Sequence, residues 1–269
     1  MAQANINGIN LYYEIMGNSD SDKTVVFMNG VMASAQSWMF QIPEFVKAGY
    51  KILIHDFRGQ LLSDKPEGPY SFDDHVKDTK GLLDHLGIKK AHFIGTSYGS
   101  EVSIYFTLAH PKVVETLSII DGVSELDQVL AGFIKAWKVL AQKGDTEEFF
   151  WGMTPTIYGN TFTEKNKVFL TERAKSIKEG PKDYLKGQVL LYDTFLGIDL
   201  TPRLKNIKCP TLVICGEEDK LKPMKFSKII ADNIQKSEYI TIPDCGHVAI
   251  LEKPQEVNTA LLGFVIKHS

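Results

Sequence analysis

An α/β fold with a mostly parallel, eight-stranded sheet and helices on both of its faces is predicted from two observations. Short runs that are apolar on both sides, such as residues 24–28, alternate along the chain with amphipathic helical patterns. Between residues 122 and 200 this alternation stops, and only helical patterns occur. We therefore expect a core built from residues 1–121 and 201–269, with residues 122–200 inserted as a helical segment.

The strands of this sheet are predicted from turn residues and apolar runs. Asn7-Gly8 is a typical tight-turn pair, so residues 2–16 are expected to form a hairpin at one edge. Further buried strands are predicted over residues 24–28, 50–55, 114–120, 211–215 and 239–242, and another begins at Ala91. Helices are predicted over residues 37–47, 97–110, 223–234 and 255–267, and one more begins after the capping residue Ser71.

Apolar residues at helical spacing dominate the inserted segment. The first group is Leu126, Val129, Leu130, Phe133, Ile134, Trp137 and Leu140. An aromatic stretch follows at residues 149–151, and helices are expected over residues 163–178 and 181–195. Most of these side chains should form the core of the insertion, and some should face a cleft between the insertion and the sheet.

The composition argues against several classes of function. A net charge of -3 and a pI near 6.2 disfavour nucleic acid or an anionic membrane as the main partner, because such binding requires clustered Lys and Arg. The cysteines Cys209, Cys215 and Cys245 fit no metal-binding or redox spacing and are expected to be reduced, packed thiols. The sequence shows neither a basic leader nor an apolar run of membrane-spanning length. A soluble, cytoplasmic protein is expected.

Residues 95–99 form a Gly-x-Ser-x-Gly sequence between a predicted strand and a predicted helix. A serine at the tip of so tight a turn requires neighbours without a Cβ, and Gly95 and Gly99 meet that requirement. The helix that follows directs backbone N–H groups and the positive end of its dipole towards the tip. Ser97 is therefore a candidate nucleophile, although a glycine-rich turn around an ordinary serine would show the same pattern.

A serine nucleophile needs a histidine that accepts its proton and an acid that orients this histidine. Asp219 follows the strand that ends at Cys215, and His247 follows the strand that ends near residue 242. Functional groups of a parallel sheet gather beyond the carboxyl ends of its strands, so Ser97, Asp219 and His247 are expected to meet there. Asp121 also follows a strand end and could orient His247 in place of Asp219.

The order Ser, Asp, His, together with the turn around Ser97, resembles the α/β-hydrolase superfamily, and in particular its capped carboxylesterases and enol-lactonases. The resemblance covers most of the chain, and it implies that residues 122–200 form a helical cap. Residues 56–64 are similar to the family's Asp-x-Arg-Gly-x-Gly-x-Ser loop, and Gly246-His247 with Glu252 is similar to its histidine segment. Asp56 and Arg58 are expected to tie loops together. Glu101, one turn after the serine, could form the pocket floor or be a buried, hydrogen-bonded acid.

The resemblance implies an oxyanion hole formed by the backbone N–H groups of Val31 and Tyr98. The sequence departs from the family pattern at Asn29, where the family has histidine, and at Leu61, where it has glycine. Candidate residues of the substrate pocket are Asn29, Trp137, Phe150, Trp151 and Tyr158. Aromatic side chains among them would make the pocket apolar.

The resemblance implies a serine hydrolase that cleaves a small, largely apolar carboxylic ester, lactone or thioester through an acyl-enzyme, without metal or cofactor. Two alternatives stay open at this point. The same three residues serve C–C bond hydrolases and lyases that act on diketone-type substrates, and some members of the superfamily are ligand-binding signalling receptors. The expected partner is a small-molecule substrate, and the protein is expected to be a monomer or a homodimer.

Overall fold

The computed structural model describes residues 2–269, apart from the side chain of Ala35. Its sheet has eight strands in the order β1-β2-β4-β3-β5-β6-β7-β8. The strands are β1 (Ala2–Ile6), β2 (Ile9–Gly17), β3 (Thr24–Met28), β4 (Lys51–His55), β5 (Ala91–Thr96), β6 (Val114–Ile120), β7 (Thr211–Gly216) and β8 (Ser237–Ile242). The pairings of β1 with β2 and of β2 with β4 are antiparallel, and the others are parallel. The predicted fold class is confirmed.

The helices account for most of the remaining chain. They are α1 (Ile42–Lys47), α2 (Phe72–His85), α3 (Tyr98–Ala109), α4 (Gln128–Lys143), α5 (Thr146–Ile157), α6 (Asn160–Lys165), α7 (Lys167–Lys178), α8 (Tyr184–Phe195), α9 (Met224–Asn233), α10 (Ala249–Glu252) and α11 (Pro254–Lys267). Short 3-10 helices cover Ala35–Trp38 and Thr201–Asn206. In the part of the chain that the structure describes, no helix combines the length and the apolar character that a membrane crossing needs.

The central strands are apolar on both sides because the sheet separates two hydrophobic cores. Val26 and Met28 pack into one core, and Val25 and Phe27 pack into the other. At the antiparallel edge, Asn7 and Gly8 both have positive φ, as the predicted tight turn of a hairpin requires.

The helix predicted over residues 37–47 is wrong in its extent. The structure instead has the 3-10 helix Ala35–Trp38, and α1 begins only at Ile42. Pro43 lies at the start of α1, where its missing N–H and fixed φ are tolerated, whereas inside a continuous helix it would break a hydrogen bond. The buried side chain of Gln41 anchors this junction by donating to the Ile250 carbonyl at 3.1 Å.

Helices α4 to α8 occupy the chain between β6 and β7. The helix predicted over residues 163–178 is divided at Asn166 into α6 and α7. The Asn166 side chain donates to the Phe162 carbonyl at 2.9 Å, and asparagine commonly interrupts helices by such competition with the backbone.

Candidate active site

Ser97 lies between β5 and α3 with φ +51° and ψ −120°, a conformation that L-residues rarely adopt. Its two glycine neighbours are required by close backbone packing. A Cβ on Gly95 would lie 2.5 Å from the Gly99 carbonyl oxygen, and a Cβ on Gly99 would lie 2.0 Å from that of Met28. The strained serine is therefore held by its surroundings at the carboxyl end of β5.

The structure brings Ser97, His247 and Asp219 into one hydrogen-bonded array. His247 Nε2 lies 2.8 Å from Ser97 Oγ, and His247 Nδ1 lies 2.7 Å from Asp219 Oδ2. His247 and Asp219 are both buried. With a proton on Nδ1 donated to Asp219, Nε2 is left as an acceptor for the serine hydroxyl.

Asp219 is oriented by the loop that follows β7. Its Oδ1 accepts hydrogen bonds from the backbone N–H groups of Leu221 at 2.9 Å and Lys222 at 2.8 Å. These bonds leave Oδ2 directed at the histidine ring. The short distances on both oxygens mean that the carboxylate has little freedom to turn away.

Asp121, the alternative acid of the sequence analysis, has other partners. Its Oδ1 accepts from the Gly216 N–H at 2.9 Å, and its Oδ2 accepts from the Ala249 N–H at 3.3 Å. Burial, and then the nearby charge of Asp219, raise the pKa of Asp121 well above its ordinary value. Asp121, directly after β6, thus fastens this strand to the end of β7 and to the start of α10, and Asp219 is the acid that contacts the histidine.

The side chains of Asp121, Cys215 and Asp219 approach within 4.8 Å of one another, the spacing of a possible metal site. The oxygens of both carboxylates already accept hydrogen bonds from backbone N–H groups or contact His247. Burial raises the pKa of the Cys215 thiol, which opposes formation of the thiolate that a metal would need. This cluster therefore fits internal hydrogen bonding better than metal binding.

Glu252 holds the histidine loop against the helical insertion. Its carboxylate accepts from the N–H of Gly246 at 2.9 Å, and also from the N–H of Gly159 in the insertion at 3.1 Å. The His247 N–H in turn donates to the Ile157 carbonyl at 2.7 Å. Glu252 belongs to the histidine motif of the sequence, but its contact with Gly159 is not visible there because the two residues are distant in the chain.

The loop after β3 lies directly against Ser97. A Cβ on Gly30 would be 3.5 Å from that of Ser97. Two glutamine side chains hold the carbonyl groups of this loop. Gln60 Nε2 donates to the Gly30 carbonyl at 2.7 Å, and Gln188 Nε2 donates to the Val31 carbonyl at 3.2 Å. On the other side of Ser97, Tyr98 is the first residue of α3, so its N–H has no partner within the helix.

Asn29 does not line the cavity at Ser97, in contrast to its assignment as a pocket residue. It is fully buried beneath the loop. Its Nδ2 donates to the His55 carbonyl at 2.9 Å, and its Oδ1 accepts from Trp38 Nε1 at 2.9 Å. Asn29 therefore connects β3, β4 and the 3-10 helix, which a short polar side chain with both donor and acceptor can do.

A cavity of about 400 Å³ opens above Ser97 and His247. Of the candidate pocket residues, Trp137, Phe150 and Tyr158 line it. Trp151 does not: the residue is 38% exposed, and its ring makes a T-shaped contact with that of Phe150. Adjacent residues of a helix point in different directions, so the aromatic stretch can place only part of its side chains in the cavity.

Two further residues from the sequence analysis form ion pairs. Arg58 makes a bidentate pair with Asp78 at 2.6 and 2.9 Å. Glu101 is fully buried and accepts both the Lys222 ammonium at 3.0 Å and the Val123 N–H at 2.8 Å. Neither Arg58 nor Glu101 lines the cavity, so both belong to the support of the site.

The chain is similar in sequence to a known family and to several named proteins. A sequence model of the alpha/beta hydrolase fold matches residues 23–254. BpoC of Mycobacterium tuberculosis, named as a non-heme bromoperoxidase, is 28% identical over 260 residues, which cover 95% of this chain and 97% of the relative. The 3-oxoadipate enol-lactonase 2 of Acinetobacter baylyi is 25% identical over 255 residues, covering 93% of this chain and 91% of the relative.

A solved structure of similar shape is MGS-M2, an alpha/beta hydrolase enzyme from a deep-sea metagenome library of the Medee basin. It matches with a TM-score of 0.93 at 28% identity, covering 98% of this chain and 96% of its own. The sequence match spans most of the chain, and the mostly parallel, eight-stranded sheet is consistent with it. The chain therefore belongs to the α/β-hydrolase fold family.

Proposed function

We propose that the protein is a serine hydrolase that cleaves a small, largely apolar carboxylic ester, lactone or thioester through an acyl-enzyme. The observation that carries this proposal is the continuous array in which His247 lies 2.8 Å from Ser97 Oγ and 2.7 Å from Asp219. This geometry suits proton transfer from serine to histidine, and Asp219 stabilises the resulting imidazolium.

In the proposed reaction, Ser97 Oγ attacks the carbonyl carbon while His247 Nε2 takes the hydroxyl proton. The tetrahedral intermediate collapses, the bond to the leaving oxygen or sulfur breaks, and His247 returns the proton to the leaving group. Water then attacks the acyl-serine, with His247 again accepting and returning a proton. The products are a carboxylic acid and an alcohol or thiol, or for a lactone one molecule that carries both groups.

The N–H groups of Val31 and Tyr98 are proposed to stabilise the negative oxygen of each tetrahedral intermediate. Val31 lines the same cavity as Ser97, and Gln60 and Gln188 hold the carbonyls of its loop. Tyr98 contributes the first N–H of α3, where the helix dipole is also favourable. One such donor commonly contributes about 3 kcal/mol to transition-state stabilisation.

The helical insertion is proposed to act as the cap that selects the substrate. It contributes Trp137, Phe150 and Tyr158 to the cavity wall, and these residues favour an apolar compound of modest size. The enol-lactonase relative, whose name describes a lactone-opening enzyme, supports an ester or lactone as the substrate class.

The proposal is tested by labelling with a fluorophosphonate probe, followed by peptide mapping, and by turnover of short-chain p-nitrophenyl esters. We expect the label on Ser97, and a loss of turnover of at least about 10⁴-fold in Ser97→Ala. Ser100→Ala is the matched control, since Ser100 is a neighbouring serine whose hydroxyl donates to backbone carbonyls. Undiminished turnover in Ser97→Ala would refute the mechanism.

A further inference from the structure

A cation lines the otherwise neutral wall of the cavity above Ser97. Arg173, on α7 of the insertion, is among the lining residues. Within the described chain, His247 is the only other residue of the lining that can carry a positive charge, and no aspartate or glutamate belongs to it. The guanidinium is therefore a distinctive chemical feature of a wall that is mostly apolar and aromatic.

Arg173 has no acidic partner among residues 2–269. Other cations of the insertion pair with carboxylates close by: Lys167 with Glu164 at 2.8 Å and Lys175 with Glu172 at 2.9 Å. Arg173 is partly buried, whereas these lysine side chains are largely exposed to water. A half-buried arginine beside an apolar cavity thus keeps an unused capacity to bind an anion.

The surroundings of Arg173 strengthen this capacity. It interacts electrostatically with Tyr158 and Tyr184, two buried tyrosines that also line the cavity. Burial raises the pKa of Tyr158, and the Arg173 cation works against that rise. Both phenols therefore stay protonated near neutral pH, and a hydroxyl group beside the guanidinium can add a hydrogen bond to a bound anion.

We propose that the substrate carries a carboxylate, which pairs with Arg173 while the ester or lactone carbonyl lies at Ser97. This inference rests on the proposed function of the same cavity and names its substrate class more narrowly. A carboxylate matches the planar guanidinium in bidentate geometry and in single charge. A phosphate monoester would bring a second negative charge, for which the described lining offers no further arginine or lysine.

The test compares two substrates that differ only at the distal carboxylate. They are the p-nitrophenyl ester of glutaric acid with its distal carboxylate free, and the same compound with that carboxylate methylated. We expect Arg173→Gln to lower kcat/KM for the anionic ester by about 10- to 100-fold, and to change the value for the methylated compound by less than about twofold. Across the succinate, glutarate and adipate analogues, kcat/KM should be highest at one chain length, because the carboxylate is held at Arg173 and the ester carbonyl at Ser97.

Lys175→Gln is the matched control, since Lys175 is an exposed cation on the same helix. It should leave both substrates unaffected, whereas Arg173→Lys should retain part of the preference for the anion. An equal loss of activity on both substrates in Arg173→Gln, or no loss on either, would overturn the proposal.

A binding measurement separates this proposal from the proposed hydrolase. Ser97→Ala should bind glutarate by calorimetry, and the double variant with Arg173→Gln should not. If the wild-type protein turns over neither ester but Arg173 still governs glutarate binding, the hydrolase is wrong and the anion subsite stands. If turnover depends on Ser97 but the two esters and glutarate show no dependence on Arg173, the subsite is wrong and the hydrolase stands.

Discussion

The carboxylate of Glu101 and the ammonium of Lys222 form a buried ion pair at 3.0 Å, with side-chain exposures of 0% and 2%. Glu101 lies on the first turn of α3, the helix that begins after Ser97, and Lys222 lies in the loop that holds Asp219. The Lys222 ammonium also stands 4.8 Å from the centre of the Phe195 ring at the end of the insertion. The ion pair therefore connects α3 to the loop after β7, and the contact of Lys222 with Phe195 connects both to the insertion.

Breaking this pair should be costly. We expect Lys222→Met to lower the free energy of unfolding at pH 8 by about 3 to 5 kcal/mol, because it leaves the buried Glu101 carboxylate without its partner. Glu101→Gln, which resembles the protonated acid, should cost less. The double variant should have a higher free energy of unfolding than the sum of the two single effects predicts. Urea unfolding monitored by circular dichroism measures these differences. Lys228→Gln, in the exposed pair with Asp232, is the control and should cost less than about 1 kcal/mol. Additive costs at positions 101 and 222 would contradict the coupling.

Glu101 should also make stability depend on pH. Burial raises the pKa of Glu101 to about 7, and Lys222 opposes part of this rise. This folded pKa lies above the unfolded value of about 4.3, so the folded state binds more protons than the unfolded state between these two pH values. The contribution of Glu101 to the free energy of unfolding is therefore lost as the pH rises from about 4.3 to 7. Glu101→Gln should remove this component. The measurement is the free energy of unfolding of both proteins at pH 5, 6, 7 and 8. Parallel pH profiles would exclude a titrating Glu101.

The two acids near the histidine should respond differently to the same change. Asp219→Asn places an amide against His247 Nδ1 and favours the wrong tautomer, so kcat should fall about 10⁴-fold. Asp121→Asn removes at most one backbone hydrogen bond and should reduce kcat by no more than about tenfold. Steady-state kinetics on a p-nitrophenyl ester tests both variants. A greater loss in Asp121→Asn would reverse the assignment of the orienting acid.

The glycines of the serine turn should not tolerate a methyl group. Gly99→Ala would place a Cβ 2.0 Å from the Met28 carbonyl, which belongs to the central strand β3 and has no room to move. We expect a loss of about 3 kcal/mol or more in the free energy of unfolding. Gly132→Ala is the matched control, because nothing lies within 4 Å of the added methyl group in helix α4. It should stabilise the protein by about 0.5 to 1 kcal/mol. Thermal melts of the two variants should therefore shift in opposite directions.

The amino-acid sequence predicts the strands because each is short, apolar on both faces and bounded by turn residues, which are local properties. The turn at residues 95–99 is equally local, since its glycines are required by backbone crowding within one strand and one helix. The break before Pro43, which the helix predicted over residues 37–47 does not include, also has a local cause, a proline without an N–H.

Tertiary structure alone distinguishes the contacts of Asp219 from those of Asp121. Both follow strand ends, and only the path of the loop after β7 directs the Asp219 carboxylate to His247. Tertiary structure likewise places Asn29 beneath the loop after β3 and Trp151 outside the cavity. It also brings Arg173 to the cavity wall above Ser97. These outcomes depend on the packing of an insertion against a sheet, between residues far apart in the chain. The physical reason is that the pattern of apolar and polar residues shows whether a segment forms a helix or a strand and which of its faces is buried. The contacts of each side chain depend on the residues that pack against it.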